Sequence, residues 1–412
     1  MIDIQHHTLS NGLKVIVHHD PATVMVVVDV LYNTGSRDES RNLTGIAHLF
    51  EHLMFSGSVN VPHFDQELEN AGGSSNAWTS NDFTNFYDIL PAENIETALR
   101  LESDRMLQLA FSETALKVQQ SVVIEEFKQQ CLNRPFGDLM HGLRAALYCA
   151  EHPYSWPVIG LEPSHIENVT NEDVRTWFFS HYAPNNAVLV IAGNCPCPHA
   201  IELAEKWFGD IPRRPISPRR LPPPGFPTHN RVVEMQGNVP YPSLTIAIPM
   251  SHYGTKEYRA ADAISDILSV GKSARLLRKL VIEGDGTIIE ADASIIGSEE
   301  PGAFLMSARI KSTEDFDKVR DMLREQLFNL TKPGNLTDDE LQRTFNQFET
   351  TFMMQNIDLV ARATNIALAA MHREDINNTV ALQRRLTIDD IRQTAQQLHS
   401  APYVAIKYSP TD

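Results

Sequence analysis

The chain is poor in cysteine, poor in positive charge and free of long apolar runs. Four cysteines (Cys131, Cys149, Cys195 and Cys197) in 412 residues are too few for a disulfide framework. Lys and Arg total 35 against 52 Asp and Glu, a net charge of −17. That balance speaks against nucleic acid or an anionic membrane as the main partner. It weakly favours a basic or neutral partner, and more simply reads as a solvated acidic surface. No stretch approaches ~18 uninterrupted apolar residues, so no membrane span is expected. The start, MIDIQHHTLSNGLKVIV, lacks a basic head, an apolar core and a small-residue cleavage site. It does not read as a signal peptide, so the expected compartment is the cytoplasm, with the periplasm as the alternative. Cys195-Pro-Cys197-Pro-His199 invites a metal reading. One residue between the thiols is tighter than zinc spacing, however, and no second pair exists, so a structural role is preferred.

Hydrophobic residues make up 42% of the chain, which suits a globular protein, and its length exceeds one ordinary core. The clearest break is IPRRPISPRRLPPPGFPTHN, Ile211 to Asn230. Its prolines fix φ and remove donors, so it reads as a semi-rigid linker. The expected division is therefore residues 1–211, a linker at 212–229, and residues 230–412. The two parts share a coarse pattern. The first opens with strands at Leu13–His18 and Thr23–Tyr32, then a helix; the second with strands at Arg231–Met235 and Ser243–Pro249, then a helix at Lys256–Leu268. Each part also ends near a strand, at Ala187–Ala192 and at Tyr403–Tyr408. A duplicated unit of strands and helices follows. Within the first part, Phe83–Leu90 alternates like a strand, and Glu93–Leu109 and Ser112–Leu132 read as helices, the latter with Ser112 as N-cap.

The chemistry concentrates in GIAHLFEHLMF, Gly45 to Phe55. Positions i, i+3 and i+4 of a helix share one face, so His48, Glu51 and His52 are neighbours if this apolar segment is helical. Two imidazoles one turn apart can both reach one zinc ion at about 2.0–2.1 Å, and the carboxylate can take a proton from water that the ion polarises. Unpaired polar groups would be costly on such a helix, which favours the metal reading over satisfied core residues. His-x-x-Glu-His is the inverted form of the common zinc-peptidase motif. A third protein ligand is still needed. Val122-Val-Ile-Glu125-Glu126 on the Ser112–Leu132 helix offers two carboxylates, and spacing alone does not choose between them.

With these residues in hand, the chain resembles the family of pitrilysin, insulin-degrading enzyme and mitochondrial processing peptidase, above all its short bacterial two-domain members. The resemblance runs through LSNGLKVIV, GSRDE at Gly35–Glu39, GIAHLFEHLMFSGS at Gly45–Ser58, GGSSNAWTSNDFTNFY at Gly72–Tyr87, HPYSWPVIG at His152–Gly160 and YAPNNAVLVIAGN at Tyr182–Asn194. It implies an α+β fold of two homologous domains, each a mostly antiparallel sheet packed with helices, joined by the proline-rich linker. It further implies a zinc endopeptidase that acts on peptides or unfolded segments in an enclosed chamber, with one zinc per chain. His48, His52 and Glu126 would bind the metal, and Glu51 would be the general base. Asn76 and Ala77 match an edge-strand segment that pairs with substrate backbone, a β-augmentation; a plain turn after GGSS is the alternative for Asn76.

Two departures stand out. The family carries a glutamate seven residues before the third ligand; here it is Gln119, which keeps hydrogen bonding near the metal but removes a charge. In the second domain, the family's substrate-holding Arg and Tyr fall on Val281 and Ile288, neither of which donates a hydrogen bond from its side chain, with Arg275 and Arg278 close by. The expected partner is therefore a homologous subunit without the zinc motif that carries the Arg/Tyr pair, with a homodimer as the alternative. A precursor-processing peptidase and a non-catalytic scaffold are the rival functions.

Overall fold

The computed structural model describes residues 1–411. The chain forms two compact units. The first comprises Met1–Phe127, Pro157–Arg220 and Thr351–Thr379; the second Lys128–Trp156, Leu221–Thr350 and Val380–Asp412. The long break between them, at 220/221, lies within the proline-rich stretch, but two segments depart from contiguous halves. Residues 128–156 pack with the second unit, and 351–379 with the first.

The strands of the first unit are β1 (Gln5–Thr8), β2 (Lys14–His19), β3 (Met25–Tyr32), β4 (Ser74–Thr79), β5 (Thr84–Pro91) and β6 (Ala187–Gly193). They form one sheet in the order β1-β2-β6-β3-β5-β4. The second unit holds β7 (Arg231–Gly237), β8 (Ser243–Pro249), β9 (Ile288–Ile296), β10 (Ala303–Ile310) and β11 (Val404–Pro410), in the order β7-β11-β8-β10-β9. Leaving β1 aside, the two orders are the same, with each unit's first and last strands pairing in parallel and the other pairs antiparallel. The fold is α+β and internally duplicated.

The exchanged segments follow from the burial of the central strands. In β3 every residue after Met25 is buried, so both faces of the sheet need apolar cover. Val26, Val28, Val30 and Tyr32 enter one core with the helices Ile46–Leu53 and Ile95–Leu107. Val27 and Leu31 enter another, closed by Ala363, Ile366 and Ala367 of the helix Leu359–Met371. In the second unit, Ala247, Val404 and Ile406 are covered in the same way by Leu143 and Leu147 of the helix Leu139–Leu147. Each sheet thus takes one covering helix from the other half of the sequence. Contiguous halves cannot supply it.

One polar contact fixes the Leu359–Met371 helix to the sheet. Asp29 of β3 is fully buried, and its Oδ2 accepts from Asn85 Nδ2 at 3.0 Å and from Thr364 Oγ1 at 2.8 Å. Burial pushes its carboxyl up to about 7 against those two bonds. From about pH 4 to pH 7 the unfolded chain releases this proton while the native chain holds it. Stability from Asp29 is therefore full at acid pH and is lost as pH rises through 7. Asp29→Asn keeps an acceptor and removes the titration. Its melting temperature relative to the unaltered protein is expected to climb by several degrees between pH 4 and pH 8. A difference that stays constant over that range would contradict this account.

Candidate metal centre

The histidine-bearing helix, Ile46–Leu53, buries Ile46, Ala47, Leu49, Phe50 and Leu53 and turns His48, Glu51 and His52 to the half-buried side. Its start is tightly specified. Gly45 has φ of +87° at the N-cap, and the first turn is satisfied by Glu39, whose Oε1 accepts from the Ala47 amide at 2.9 Å. A carboxylate there also suits the positive end of the helix dipole. The loop that follows is pinned by Asp104, which accepts from Ser58 Oγ, from the Asn60 amide at 3.0 Å and from Asn60 Nδ2 at 2.6 Å. Beneath, the fully buried Arg105 pairs with Glu102 and lies over the rings of Phe55, Phe64 and Phe86 at 4.4 to 5.3 Å.

The helix Glu113–Phe127 brings the third group. It runs shorter than the expected Ser112–Leu132 because Lys128–Leu132 winds as a π-helical turn, and Ser112 Oγ accepts from the Ala115 amide at 3.3 Å, as an N-cap does. Glu126 Oε2 lies 3.7 Å from His48 Nε2 and 3.6 Å from His52 Nε2. Glu125, one position round, is exposed. Among the described residues, His48, His52 and Glu126 are the group of three or more ligand-type side chains with donor atoms within 4.8 Å of one another. Cys195, Cys197 and His199 form no such group; the two thiols are free.

These residues suit a zinc ion. Bonds of about 2.0–2.1 Å in a tetrahedral site put ligand atoms roughly 3.4 Å apart, close to the spacing here. Burial first, and then the neighbouring His52 charge, lowers His48 to about 4, so this imidazole is neutral at pH 7, the form that binds metal. Burial likewise pushes Glu51 up to about 7; a hydrogen bond from Thr79 Oγ1 opposes the shift and the Glu126 charge adds to it.

Thr79 is a site residue that motif reading passed over. It ends β4, the edge strand that also carries Asn76 and Ala77. The signal was present in SSNAWT, because Ala77 and Thr79 share a face of an alternating strand. Asn76 is exposed, pairs with Tyr87 in the sheet, and uses its own Oδ1 to hold the Ala77 amide at 2.8 Å. Gln119 Nε2 donates to Ser56 Oγ at 3.3 Å, and that hydroxyl reaches the His52 carbonyl at 3.5 Å. Gln119 therefore braces the end of the histidine helix. In the second unit, Val281 is half-buried against the core and Ile288 is buried in it. Arg275 is paired with Glu340 at 2.6 Å and Arg278 with Glu283 at 2.7 Å.

Two imidazoles, a carboxylate one turn round the same face and a second carboxylate from a neighbouring helix are the equipment of a metal-dependent hydrolase. Comparison with known proteins agrees. Residues 14–147 match the family described as insulinase, peptidase family M16, and residues 168–348 match the peptidase M16 inactive domain. The zinc protease PqqE of Helicobacter pylori is 28% identical over 407 residues, covering 95% of this chain and 89% of its own. The mitochondrial-processing peptidase subunit beta of Saccharomyces cerevisiae is 24% identical over 362 residues, covering 84% and 77%. The crystal structure of a protease from Helicobacter pylori superposes on all of this chain with a TM-score of 0.90 at 25% identity, all of that chain being covered. The chain belongs to peptidase family M16.

Gly45 offers a direct check on the frame of the site. A Cβ there would lie 2.6 Å from Ile166 Cδ1 and 2.9 Å from the Ile159 carbonyl oxygen, in a left-handed conformation that already costs roughly 1–2 kcal/mol. Gly45→Ala should lower the urea midpoint by an amount equivalent to at least about 2 kcal/mol. An unchanged midpoint would count against this frame.

Proposed function

We propose that the protein is a zinc endopeptidase acting on peptides or unfolded segments, with His48, His52 and Glu126 as metal ligands and Glu51 as general base. The observation that carries this reading is the convergence of the His48, His52 and Glu126 donor atoms on one point beside Glu51. Zinc, when bound, supplies Lewis-acid activation of water and of the scissile carbonyl. Glu51 accepts the proton of the attacking water and returns it to the leaving amine. Thr79 fixes the rotamer of that carboxylate through its hydroxyl. Asn76 and Ala77 lie on a sheet edge where an extended substrate can add as a strand. To do so it must compete with the Asn76 side chain for the Ala77 amide.

Metal content and turnover separate these roles. Glu51→Gln should keep about one zinc per chain and lose roughly 10²–10⁴-fold in turnover. Glu126→Gln should lose both, and Glu125→Gln neither. Full activity in Glu51→Gln would sink the assignment of the base. Equal zinc in Glu126→Gln would sink that of the third ligand, and no zinc in the unaltered chain would return the scaffold reading.

The same proposal extends to the partner. Val281 and Ile288 leave the second unit without the family's Arg/Tyr pair, and Arg275 and Arg278 are engaged elsewhere. A relative is itself named as a subunit. The active form is thus a heterodimer with a homologous chain that has the pair and lacks the zinc motif. Mixing with such a chain should raise peptide cleavage at least tenfold and yield a 1:1 complex on size exclusion. Equal cleavage by the purified chain alone would rule it out.

A further inference from the structure

We infer that Val122 and Val118 form an apolar subsite beside the metal centre, taking an aliphatic side chain of the substrate close to the scissile bond. The inference rests on the peptidase reading above and adds a determinant of which peptides are cut.

The helix Glu113–Phe127 turns about 100° per residue. With Glu126 as origin, Gln119 lies within about 20°, Val122 about 40° to one side and Val118 about 80° to the same side, while Val123 lies about 60° to the other. The Val123 side is the core side: Val123 is fully buried, Gln119 reaches Ser56, and Gln120 Nε2 donates to the carbonyls of Ile166 and Val169, both at 2.9 Å. The valine side is open, with Val118 53% and Val122 45% exposed. Exposed single valines are ordinary. Here Val122 lies one turn before a proposed metal ligand and Val118 one turn before that, so the two make a continuous apolar strip leading away from it. β-Branched residues are also among the poorer helix formers, so helix propensity does not account for them.

The occupant follows from the neighbours of the histidine helix. Glu51 is bonded to Thr79 of β4, and His48 and His52 face Glu126. The polar face of that helix therefore has β4 on one flank and the Glu113–Phe127 helix on the other. A peptide added to the β4 edge with its bond at the metal points alternate side chains to opposite faces of the sheet. Those on the histidine-helix face project toward Glu126 and the valines beside it. A branched aliphatic group fits that strip; a carboxylate does not, since Glu125 and Glu126 lie on either side of it.

The test uses zinc-loaded full-length protein, alone and with the partner chain, and paired peptides that differ only by Leu or Asp at successive positions around the cut. The unaltered protein should prefer Leu at one position by roughly tenfold or more in kcat/KM. Val122→Lys, with zinc content unchanged, should invert that preference toward Asp at the same position and at no other. Binding of the same peptides to Glu51→Gln, read by fluorescence anisotropy, should show the Leu preference without turnover, and adding Val122→Lys to that variant should invert it. Cleavage with an unaltered Leu/Asp ratio in Val122→Lys would overturn the subsite alone. Neither cleavage nor binding by the zinc-loaded protein would overturn the peptidase reading and the subsite with it.

Discussion

Holding two imidazoles and a carboxylate on one half-buried helix face is the constraint on which the first unit depends. Each group would be better solvated in water, and the shifts at His48, down to about 4, and Glu51, up to about 7, measure the direction of that penalty. The fold offsets it from several sides. Five buried apolar residues anchor the far face of the helix, Glu39 closes its first turn, and Asp104 holds the loop beyond it. Thr79 supplies a hydrogen bond to Glu51. None of these devices is specific to a metal. Together they hold His48, Glu51 and His52 on one face, where Glu126 of the neighbouring helix meets the two imidazoles.

Legibility from sequence tracked how local each constraint is. The shared face of His48, Glu51 and His52 was readable because helix pitch alone sets it. Glu126 was not separable from Glu125 by spacing; which of the two lies beside the imidazoles follows from the rotation of the Glu113–Phe127 helix, set by Leu116, Val123 and Phe127 packing inward. Thr79 was missed because its contact depends on the β4 edge meeting the histidine helix 28 positions earlier in the chain. The continuous apolar run of β3 announced a sheet covered on both faces. It could not announce that Leu359–Met371, more than 300 positions later, supplies the second cover, for an amphipathic helix fits any apolar face of the right width.

The duplicated unit shows what the strand order alone does not specify. Apart from β1, the second sheet repeats the order of the first, and its helix Lys256–Ser269 follows β8 as the histidine helix follows β3. Where the first unit has imidazoles one turn apart, this helix has Asp262 and Asp266, raised by burial to about 6 and about 7. Two such carboxylates lack the neutral nitrogen donors of the first unit. The shared topology positions a helix beside an edge strand; the side chains on that helix determine whether it carries chemistry.

The same logic bears on Ile288, the position where the resemblance places a tyrosine. Ile288 opens β9 with its side chain in the core of the second unit, 3% exposed, and it pairs with Ile310 next to an irregularity in the ladder at Arg309. A tyrosine there would have to bury its hydroxyl with a partner or push the strand outward, and either disturbs the core. Nor can the nearby arginines move over freely. Arg275 donates to both oxygens of Glu340 and to the Asn335 carbonyl, so freeing it would leave a half-buried glutamate with only the looser Arg343 pair at 3.8 Å. The second unit is built around the residues it has, and neither a tyrosine at Ile288 nor a freed Arg275 would be accommodated without disturbing that packing.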